Sequence, residues 1–528
     1  MLPAAGLCVL LCLPAAEAPP QADYVIRGAL LCDGTGRPAA RGDVAVKGDR
    51  IVGVGTVAVA GTPRVIDGTG LVVAPGFIDL HTHSDDSIRA PASRPNLNYV
   101  LQGVTTIVTG NCGFGPVDVG KYLNAIDAAG AGSNVAHQVP HNALRQQVMG
   151  NANRRPTRAE LEKMKALVDR GMRDGAFGLS TGLYYTPGSY ADLEELVELS
   201  RVVAAHGGFY ASHMRDEGTG LLASINETLT IGRRAGVPVH ISHLKAYSRS
   251  AWGRAGDAIA LIEQARRNGQ AVTADQYPYT ASSTSLAADV IPARYREGSQ
   301  KDLLARFDDP EQGPKVRQAM QRQLEVCDGG RALRLAHYGP RPDWQGKDLA
   351  SIAMQEKKPV LDVVLDIERH GGAQIVNFSM QEEEVRLIMK QPFVATASDG
   401  AARVPDDSVP HPRNYGCFAR KIGHYAITEK LLPLEQAVRS ASGLPADVLR
   451  LPDRGYLRPG YCADLVVFDP ETYRDRATFD HPHQYATGVR WVFVNGRPVV
   501  AAGRFTGTLA GKALRHQPKK GDAAHSQK

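Results

Sequence analysis

Short apolar runs separated by glycine-rich turns occupy both ends of the chain. Near its start the chain reads YVIRGALLCDGTG, GDVAVKGDRIVGVG and RVIDGTGLVVAPG, and near its end it reads ADLVVFDP and GVRWVFVNGRPVV. Alternating apolar and polar positions between glycine turns predict β-hairpins. Because these two regions flank a long middle, we predict one small discontinuous β-sandwich formed by residues 22–75 and 446–505.

The middle of the chain, residues 76–445, alternates apolar runs with helix-like segments. Stretches such as RAELEKMKALVDRG and GDAIALIEQARRNG carry a helical period between the runs. Strand and helix patterns that alternate eight times predict an α/β fold, namely a TIM-like parallel (β/α)8 barrel. Residues 287–346 are polar, contain prolines and break this rhythm, so we interpret them as an insertion. The eight runs are GFIDLH, VTTIVTG, AFGLST, GFYASH, VPVHIS, AVTADQYP, AQIVNFS and FVATASD.

The two extremities of the chain differ from the rest. Residues 7–13 are apolar and residues 16–18 read Ala-Glu-Ala, a pattern that resembles a signal peptide over residues 1–20 and predicts an exported, periplasmic or secreted protein. The apolar run is too short for a membrane span. Neither Lys nor Arg precedes it, so a cytoplasmic protein is the alternative. The polar segment 506–528 is predicted to be disordered.

Composition narrows the classes of partner. Hydrophobic residues make up 43% of the chain and charged residues 22%, which is typical of a soluble globular protein. The net charge is +6 and the basic residues are dispersed, so we expect no nucleic-acid partner. Of the seven cysteines, two lie in the leader and the others are scattered, which argues against a disulfide framework. The oligomeric state is left open.

Reactive side chains stand at the ends of the apolar runs. In a parallel barrel the C-terminal ends of the strands meet on one face, where active sites are built. His81 and His83 are two positions apart, so in an extended strand they point to the same side. Imidazoles and a thiol together with a carboxylate form a donor set that suits zinc. The six residues are His81 and His83 after the first run, Cys112 after the second, His213 after the fourth, His243 after the fifth and Asp399 after the eighth.

Each of these residues taken alone has an ordinary structural explanation. A single histidine at a strand end is usually hydrogen-bonded, a free cysteine such as Cys112 is usually a core residue, and Asp399 before Gly400 fits a turn. Coincident placement of all six at the ends of one strand series is a much rarer outcome. We therefore predict a metal centre. A metal-free scaffold protein, the alternative from another class, would be expected to have lost some of these residues.

Several longer motifs point to a family. Together they resemble the amidohydrolase superfamily, and within it the D-aminoacylases (N-acyl-D-amino-acid deacylases), over nearly the whole chain. The NCGFG motif around Cys112 discriminates best, because many relatives, including hydantoinases and dihydroorotases, use a carboxylated lysine as the metal bridge. The motifs are APGFIDLHTHSD (74–85), QGVTTIVTGNCGFGP (102–116), GLSTGLYYTPGSYA (178–191), ASHMRDEG (211–218), GVPVHISHLKA (236–246), SDG (398–400) and HPRNYG (411–416).

The resemblance implies one tight zinc ion and a second, weaker metal position. It implies that Asp399 is the general acid and base. The tight zinc would be held by Cys112, His213 and His243. The weaker position would lie near His81, His83 and Asp399.

The resemblance also implies four residues that hold the carboxylate of the substrate. Two of them lie in DQYPYTASSTS, where Tyr279 and Ser282 are rivals at neighbouring positions. The four are Lys245, Tyr277, Ser283 and Arg413.

The implied activity is zinc-dependent hydrolysis of the linear amide of an N-acyl-D-amino acid to a carboxylate and a free D-amino acid. A small-molecule N-acyl-amino acid is therefore the expected partner. A cyclic-amide hydrolase or a dipeptidase of the same superfamily is the alternative, and Cys112 in place of a bridging lysine argues against it. The side chain and the acyl length of the substrate are left open.

Overall fold

The structure, a computed structural model, describes residues 19–517. Almost all of the predicted signal peptide (residues 1–20) and residues 518–528 lie outside the described residues. In chain order the strands are β1 (Tyr24–Leu31), β2 (Ala40–Lys47), β3 (Arg50–Gly55), β4 (Arg64–Asp67), β5 (Val72–Pro75), β6 (Phe77–Asp79), β7 (Val104–Thr109), β8 (Asn134–His137), β9 (Val139–Pro140), β10 (Gly178–Gly182), β11 (Phe209–His213), β12 (Val239–Ile241), β13 (Val272–Gln276), β14 (Ser282–Ser285), β15 (Leu333–His337), β16 (Gln374–Asn377), β17 (Val394–Thr396), β18 (Leu465–Phe468), β19 (Val489–Val494), β20 (Arg497–Ala501) and β21 (Arg504–Phe505).

Helices fill most of the connections between the strands of the middle region. Among the helices of residues 19–517, none combines the length and the apolar character needed to cross a lipid bilayer. A π-helical segment, Arg420–Thr428, follows α14 directly. The α-helices are α1 (Leu97–Val100), α2 (Val119–Ala129), α3 (His141–Met149), α4 (Arg158–Arg173), α5 (Leu193–Ala205), α6 (Leu221–Ala235), α7 (Ala255–Arg267), α8 (Leu286–Val290), α9 (Gln300–Asp308), α10 (Gln312–Val326), α11 (Leu349–Glu356), α12 (Val360–Arg369), α13 (Glu382–Met389), α14 (Arg413–Ala419), α15 (Leu434–Ala441) and α16 (Gly443–Leu449).

Local sequence signals set the limits of the helices that follow the barrel strands. Thr157 and Glu160 form a capping box at the start of α4, each satisfying a backbone N–H of the other. The carboxylate of Asp192 accepts a backbone hydrogen bond at the start of α5. Helix α6 ends at Gly236, whose φ of 67° lies in the left-handed region that glycine adopts without steric cost.

Strands from both ends of the chain form one sheet, the terminal sheet. Its nine strands run in the order β21-β20-β19-β18-β5-β1-β2-β3, with β4 paired beside β1. The two chain ends join where Leu465 of β18 pairs antiparallel with Pro75 of β5. The ring centroids of Tyr24 on β1 and Phe493 on β19 lie 5.2 Å apart although two strands separate them in the sheet. The terminal sheet therefore curls over its own apolar core.

The middle of the chain forms the predicted parallel barrel. Strands β6, β7 and β8 form one ladder, and β9 to β13 with β17 form the other. Only Gln138 separates β8 from β9. The first and last barrel strands meet at a parallel bridge between Thr82 and Gly400, where the backbone N–H of Asp399 donates to the carbonyl of His81 at 2.8 Å. This bridge is called the barrel seam below.

One of the eight predicted strands is wrong, and one barrel strand was missed. The run AQIVNFS contributes β16, which pairs antiparallel with β14 and β15 outside the barrel. The true third barrel strand, β8, begins with Asn134 and ends with His137, both fully buried and hydrogen-bonded, so it lacks the apolar pattern of a core strand. His213 consequently ends the fifth strand, and His243 follows the sixth.

The insertion is larger than the predicted 287–346. Its sheet begins at β14 and ends at β16, where Ser282 pairs with Asn377, so the two strands that close the unit lie outside the predicted limits. Helices α8 to α12 pack with these strands around an apolar core of their own, separate from that of the barrel. This unit is called the insert below. The pairing of β14 with β16 joins the two ends of the insert, so its helices can pack around a core of their own.

The prediction of a disordered segment over 506–528 fails for residues 506–517. Gly511 and Ala513 form backbone bridges with Ala131 and Val135 beside the third barrel strand. A Cβ atom on Gly511 would lie 2.1 Å from the carbonyl oxygen of Ser133, so only glycine allows this approach. The polar composition of the segment concealed the backbone hydrogen bonds that hold it.

Candidate metal centre and active site

The C-terminal ends of the barrel strands bring the predicted residues to one face. Three of these residues have backbone conformations that side chains other than glycine rarely adopt, because φ is 51° at Cys112, 36° at His243 and 51° at Asp399. Such strain is retained where the surrounding structure enforces it, and it is concentrated at functional sites.

The thiol of Cys112 lies at the centre of a cluster of imidazoles. Its sulfur is 3.2 Å from Nε2 of His81, 3.5 Å from Nδ1 of His213 and 3.8 Å from Nε2 of His243. Burial opposes ionisation of the thiol, but the neighbouring His81 and His213 lower the pKa of Cys112 well below its ordinary value. The thiolate is the form that binds metal.

These separations fit a zinc ion. Zinc binds sulfur at about 2.3 Å and imidazole nitrogen at about 2.1 Å, so a sulfur and a nitrogen donor in a tetrahedral site lie about 3.6 Å apart. The sulfur–nitrogen distances around Cys112 fall on either side of this value. The donor atoms of Cys112, His81 and His243 all lie within 4.8 Å of one another. The residues present therefore suit zinc in both chemistry and spacing.

A second group of donors adjoins the first. Oδ1 of Asp399 is 3.0 Å from Nε2 of His83 and 3.5 Å from Nε2 of His81. His81 thus faces both the thiol of Cys112 and the carboxylate of Asp399. The structure brings all six predicted residues together, but it groups their donor atoms differently from the expected sets. The groups are Cys112 with His81 and His243, His81 with His83 and Asp399, and His213 with Glu217 and His243.

Two buried carboxylates behind the histidines were missed by the sequence analysis. Glu217 Oε1 lies 2.9 Å from Nδ1 of His243, and Asp275 Oδ2 lies 3.4 Å from Nδ1 of His81. Carboxylates in such positions orient metal-binding imidazoles and raise their basicity. Burial opposes the charge on Glu217, but Lys245 and His243 lower the pKa of Glu217 to about 2. A signal existed, because Glu217 lies four residues after His213 within ASHMRDEG.

The residues expected to hold a carboxylate also lie together. The guanidinium of Arg413 is 4.9 Å from the ring centroid of Tyr277, and Nζ of Lys245 is 5.8 Å from the same centroid. The hydroxyl of Tyr277 is buried and has no hydrogen-bond partner in the described chain. Arg413 also donates to the backbone carbonyl of Ser283 at 3.2 Å. The hydroxyl of Tyr279, the rival of Tyr277, is also buried without a partner among the described residues. The Tyr279 ring, however, lies beneath the guanidinium of Arg420 at 5.0 Å rather than that of Arg413.

Both cations already have anionic partners. Arg413 donates to Oδ2 of Asp399 at 2.8 Å, and Lys245 forms a 2.7 Å ion pair with Glu217. Burial opposes ionisation of Asp399, but Arg413 and His81 outweigh it and hold the pKa of Asp399 well below its ordinary value. Asp399 is therefore ionised.

Two cavities meet at Asp399. The Lys245 cavity has a volume of about 470 Å³ and contains His213, His243 and Tyr277 in its wall. The His83 cavity has a volume of about 560 Å³ and opens beside Cys112 and Arg413. Asp399, Ser283, Thr284 and Tyr185 line both. A substrate with two arms can thus extend into both cavities from one reacting centre.

A family model described as "Amidohydrolase family" matches residues 64–500, which include the whole barrel and every residue of the metal cluster. This chain belongs to the amidohydrolase family.

Two D-aminoacylases match this chain over nearly their full lengths. The D-aminoacylase of Alcaligenes xylosoxydans xylosoxydans is 39% identical over 516 residues, which cover 93% of this chain and 97% of that protein. The crystal structure of a D-aminoacylase superposes with a TM-score of 0.81 at 38% identity, over 93% of this chain and 99% of that chain. These matches confirm the resemblance to D-aminoacylases.

A third relative has been crystallised with a metal. The N-acyl-D-glutamate deacylase of Bordetella bronchiseptica, complexed with zinc and a phosphonate inhibitor that mimics the tetrahedral intermediate, superposes with a TM-score of 0.80 at 34% identity. The match covers 94% of this chain and 100% of that chain. The amidohydrolase described here has a donor cluster that would accept the same metal.

Replacement of Cys112 by Ala is expected to empty the tight zinc position. We expect about one tightly held zinc per chain in the parent protein, because a thiolate with imidazoles forms a strong borderline-soft site. Elemental analysis after dialysis measures the zinc content. Cys32→Ala is the matched control, since Cys32 is an equally buried thiol at the terminal sheet. Full zinc retention in Cys112→Ala would show that the cysteine is not a ligand.

Proposed function

We propose that this amidohydrolase uses zinc to hydrolyse the linear amide of N-acyl-D-amino acids, releasing a carboxylate and a free D-amino acid. The observation that carries the proposal is the Cys112 thiol among imidazoles, with Asp399 beside it and a carboxylate-binding group next to Asp399. The D-aminoacylase relatives support it, since their matches cover 93% of this chain.

The metal and the chain have separate tasks in such a reaction. Zinc bound at the cluster would polarise the amide carbonyl and lower the pKa of water from about 15.7 to about 7. Asp399 lies where the two cavities meet, so its carboxylate can take the proton of the attacking water. The same group then returns that proton to the amide nitrogen as the C–N bond breaks.

The α-carboxylate of the substrate would be held by Arg413, Lys245 and Tyr277. Arg413 offers a planar fork that binds a carboxylate through two parallel hydrogen bonds, and Lys245 adds a point charge. The unpaired Tyr277 hydroxyl supplies a further donor. Ser283 contributes through its backbone carbonyl, which fixes the guanidinium of Arg413. A substrate held at its carboxylate, carbonyl and side chain meets the condition for discrimination between mirror images.

Asp399→Asn is expected to keep the fold and most of the zinc but to lower kcat for N-acetyl-D-methionine by about 100- to 10,000-fold, the usual worth of a general acid–base group. Release of the free amine measures turnover. Asp407→Asn is the control, because Asp407 is exposed in the segment after Asp399.

A parent protein that hydrolyses hydantoin or dipeptides but no N-acetyl-D-amino acid would contradict the proposed function. Near-parental turnover by Asp399→Asn would contradict only the role given to that residue.

Arg413→Lys is expected to lower kcat/KM for N-acyl-D-amino acids, since lysine keeps the charge but loses the paired hydrogen bonds. The expected loss of transition-state stabilisation is about 1.5–3 kcal/mol. The matching substrate amides have no carboxylate, so their loss is confined to the effect of Arg413 on Asp399. The measurement is the ratio of kcat/KM for each acid to that for its amide. An unchanged ratio would show that Arg413 supports Asp399 and does not recognise the substrate.

We propose also that the protein is exported. The apolar run at 7–13 and the small residues at 16–18 support this proposal. Expression of the full chain in a bacterium with a periplasm is expected to give a mature protein that begins near residue 19, as N-terminal sequencing would detect. Leu10→Arg is expected to keep the precursor in the cytoplasm. An unprocessed parent protein in the cytoplasm would contradict export.

A further inference from the structure

Charges in the Lys245 cavity are paired almost throughout. Lys245 pairs with Glu217 at 2.7 Å, and Arg215 pairs with Glu227 at 2.9 Å. Asp399 accepts from Arg413 at 2.8 Å. The remaining acids accept hydrogen bonds from neutral donors: Asp216 from the backbone of Gly218 at 2.7 Å and Gly220 at 3.0 Å, and Asp289 from Tyr184 at 3.2 Å and Asn377 at 2.8 Å.

Arg296 is different. Its side chain lines the same cavity and is half-buried. Within residues 19–517 its guanidinium forms no ion pair, and its only hydrogen bond runs from Nη2 to the backbone carbonyl of Tyr184 at 3.4 Å. Its Nε atom is buried and has no partner. A guanidinium removed from water without an anion is costly, and most of its five donors here are unused.

Two buried acids, Asp289 and Glu368, lie near Arg296, but among the described residues neither forms an ion pair or a hydrogen bond with its guanidinium. Burial raises the pKa of Asp289, and burial raises the pKa of Glu368 to about 7 despite the nearby Arg296. The carboxylate of Asp289 also accepts hydrogen bonds from Tyr184 and Asn377. The positive charge therefore remains available to a ligand.

Tyr184 connects Arg296 to the metal cluster. Its backbone carbonyl accepts from Arg296, while its ring centroid lies 5.7 Å from that of His213. One tyrosine thus separates the free guanidinium from a predicted metal ligand. Lys245 and Tyr277 line the same cavity. Arg296 is therefore placed to contact a group of the substrate beyond its α-carboxylate.

We propose that Arg296 binds a second carboxylate, carried by the side chain of the substrate, so that the preferred substrates are N-acyl derivatives of acidic D-amino acids. This inference rests on the proposed function. The planar fork of the guanidinium matches a carboxylate through two parallel hydrogen bonds. The side-chain carboxylate would supply the anion that the chain itself does not place beside Arg296.

The test compares N-acetyl-D-glutamate with N-acetyl-D-glutamine, which has the same shape without the charge. The zinc-loaded parent is expected to show a kcat/KM about 10- to 150-fold higher for the glutamate, the range expected for a hydrogen-bonded charged group. Arg296→Gln is expected to bring this ratio close to one. Arg294→Gln is the control, since Arg294 is exposed and stacks on Tyr295. A ratio of two substrates does not depend on the fraction of active protein.

Three outcomes would overturn the inference: a parent that does not prefer the glutamate, an Arg296→Gln variant that keeps the preference, or a parent that prefers N-acetyl-D-lysine, which would make Asp289 the selective residue. Cleavage of N-acetyl-D-glutamine without a preference leaves the proposed function standing. Calorimetric binding of both ligands to Asp399→Asn provides a second readout that needs no turnover. Equal affinities there would also overturn the inference, whereas tighter binding of the glutamate would support it.

Discussion

The buried thiolate of Cys112 is the interaction on which the rest of the site depends. An anion enclosed by protein is unfavourable unless positive charge or a metal balances it. Three imidazoles approach its sulfur from the ends of three different strands. The left-handed backbone at Cys112 aims the sulfur at that meeting point. The histidines, the carboxylates behind them and the cations around them are all arranged with respect to this one charge.

Charge alternates outward from the thiolate. Glu217 holds His243, and Lys245 in turn balances Glu217. On the other side Asp399 faces His83, and Arg413 balances Asp399. Each ion in these two series has an opposite neighbour, which is the condition under which ions are tolerated in a protein interior. The cations proposed to bind the substrate are thus ones that the site already needs for its own electrostatic balance.

The sequence predicted the chemistry better than the architecture around it. The strand-end positions of His81, Cys112 and Asp399 led to the metal cluster, because a periodic pattern followed by a reactive residue is a local signal. Strand β8 was missed because it is short and two of its four buried residues, Asn134 and His137, are polar. Asn134 finds its hydrogen-bond partners far along the chain. The pairing of β14 with β16 could not be predicted from the sequence either. A buried strand of the barrel and a buried strand of the insert have the same local pattern.

The barrel seam has an evolutionary consequence. Asp399 closes the barrel through its backbone N–H and faces the metal cluster through its side chain, so a shift of the backbone there would disturb the barrel closure and the cluster together. Much of the Lys245 cavity wall, Arg296 included, belongs to the insert, which has a separate core. Substitutions within the insert can therefore change which substrates the cavity admits while the barrel stays the same. The residue proposed to transfer the proton lies instead at the barrel seam, where insertions, deletions or other backbone changes would also disturb the closure of the barrel.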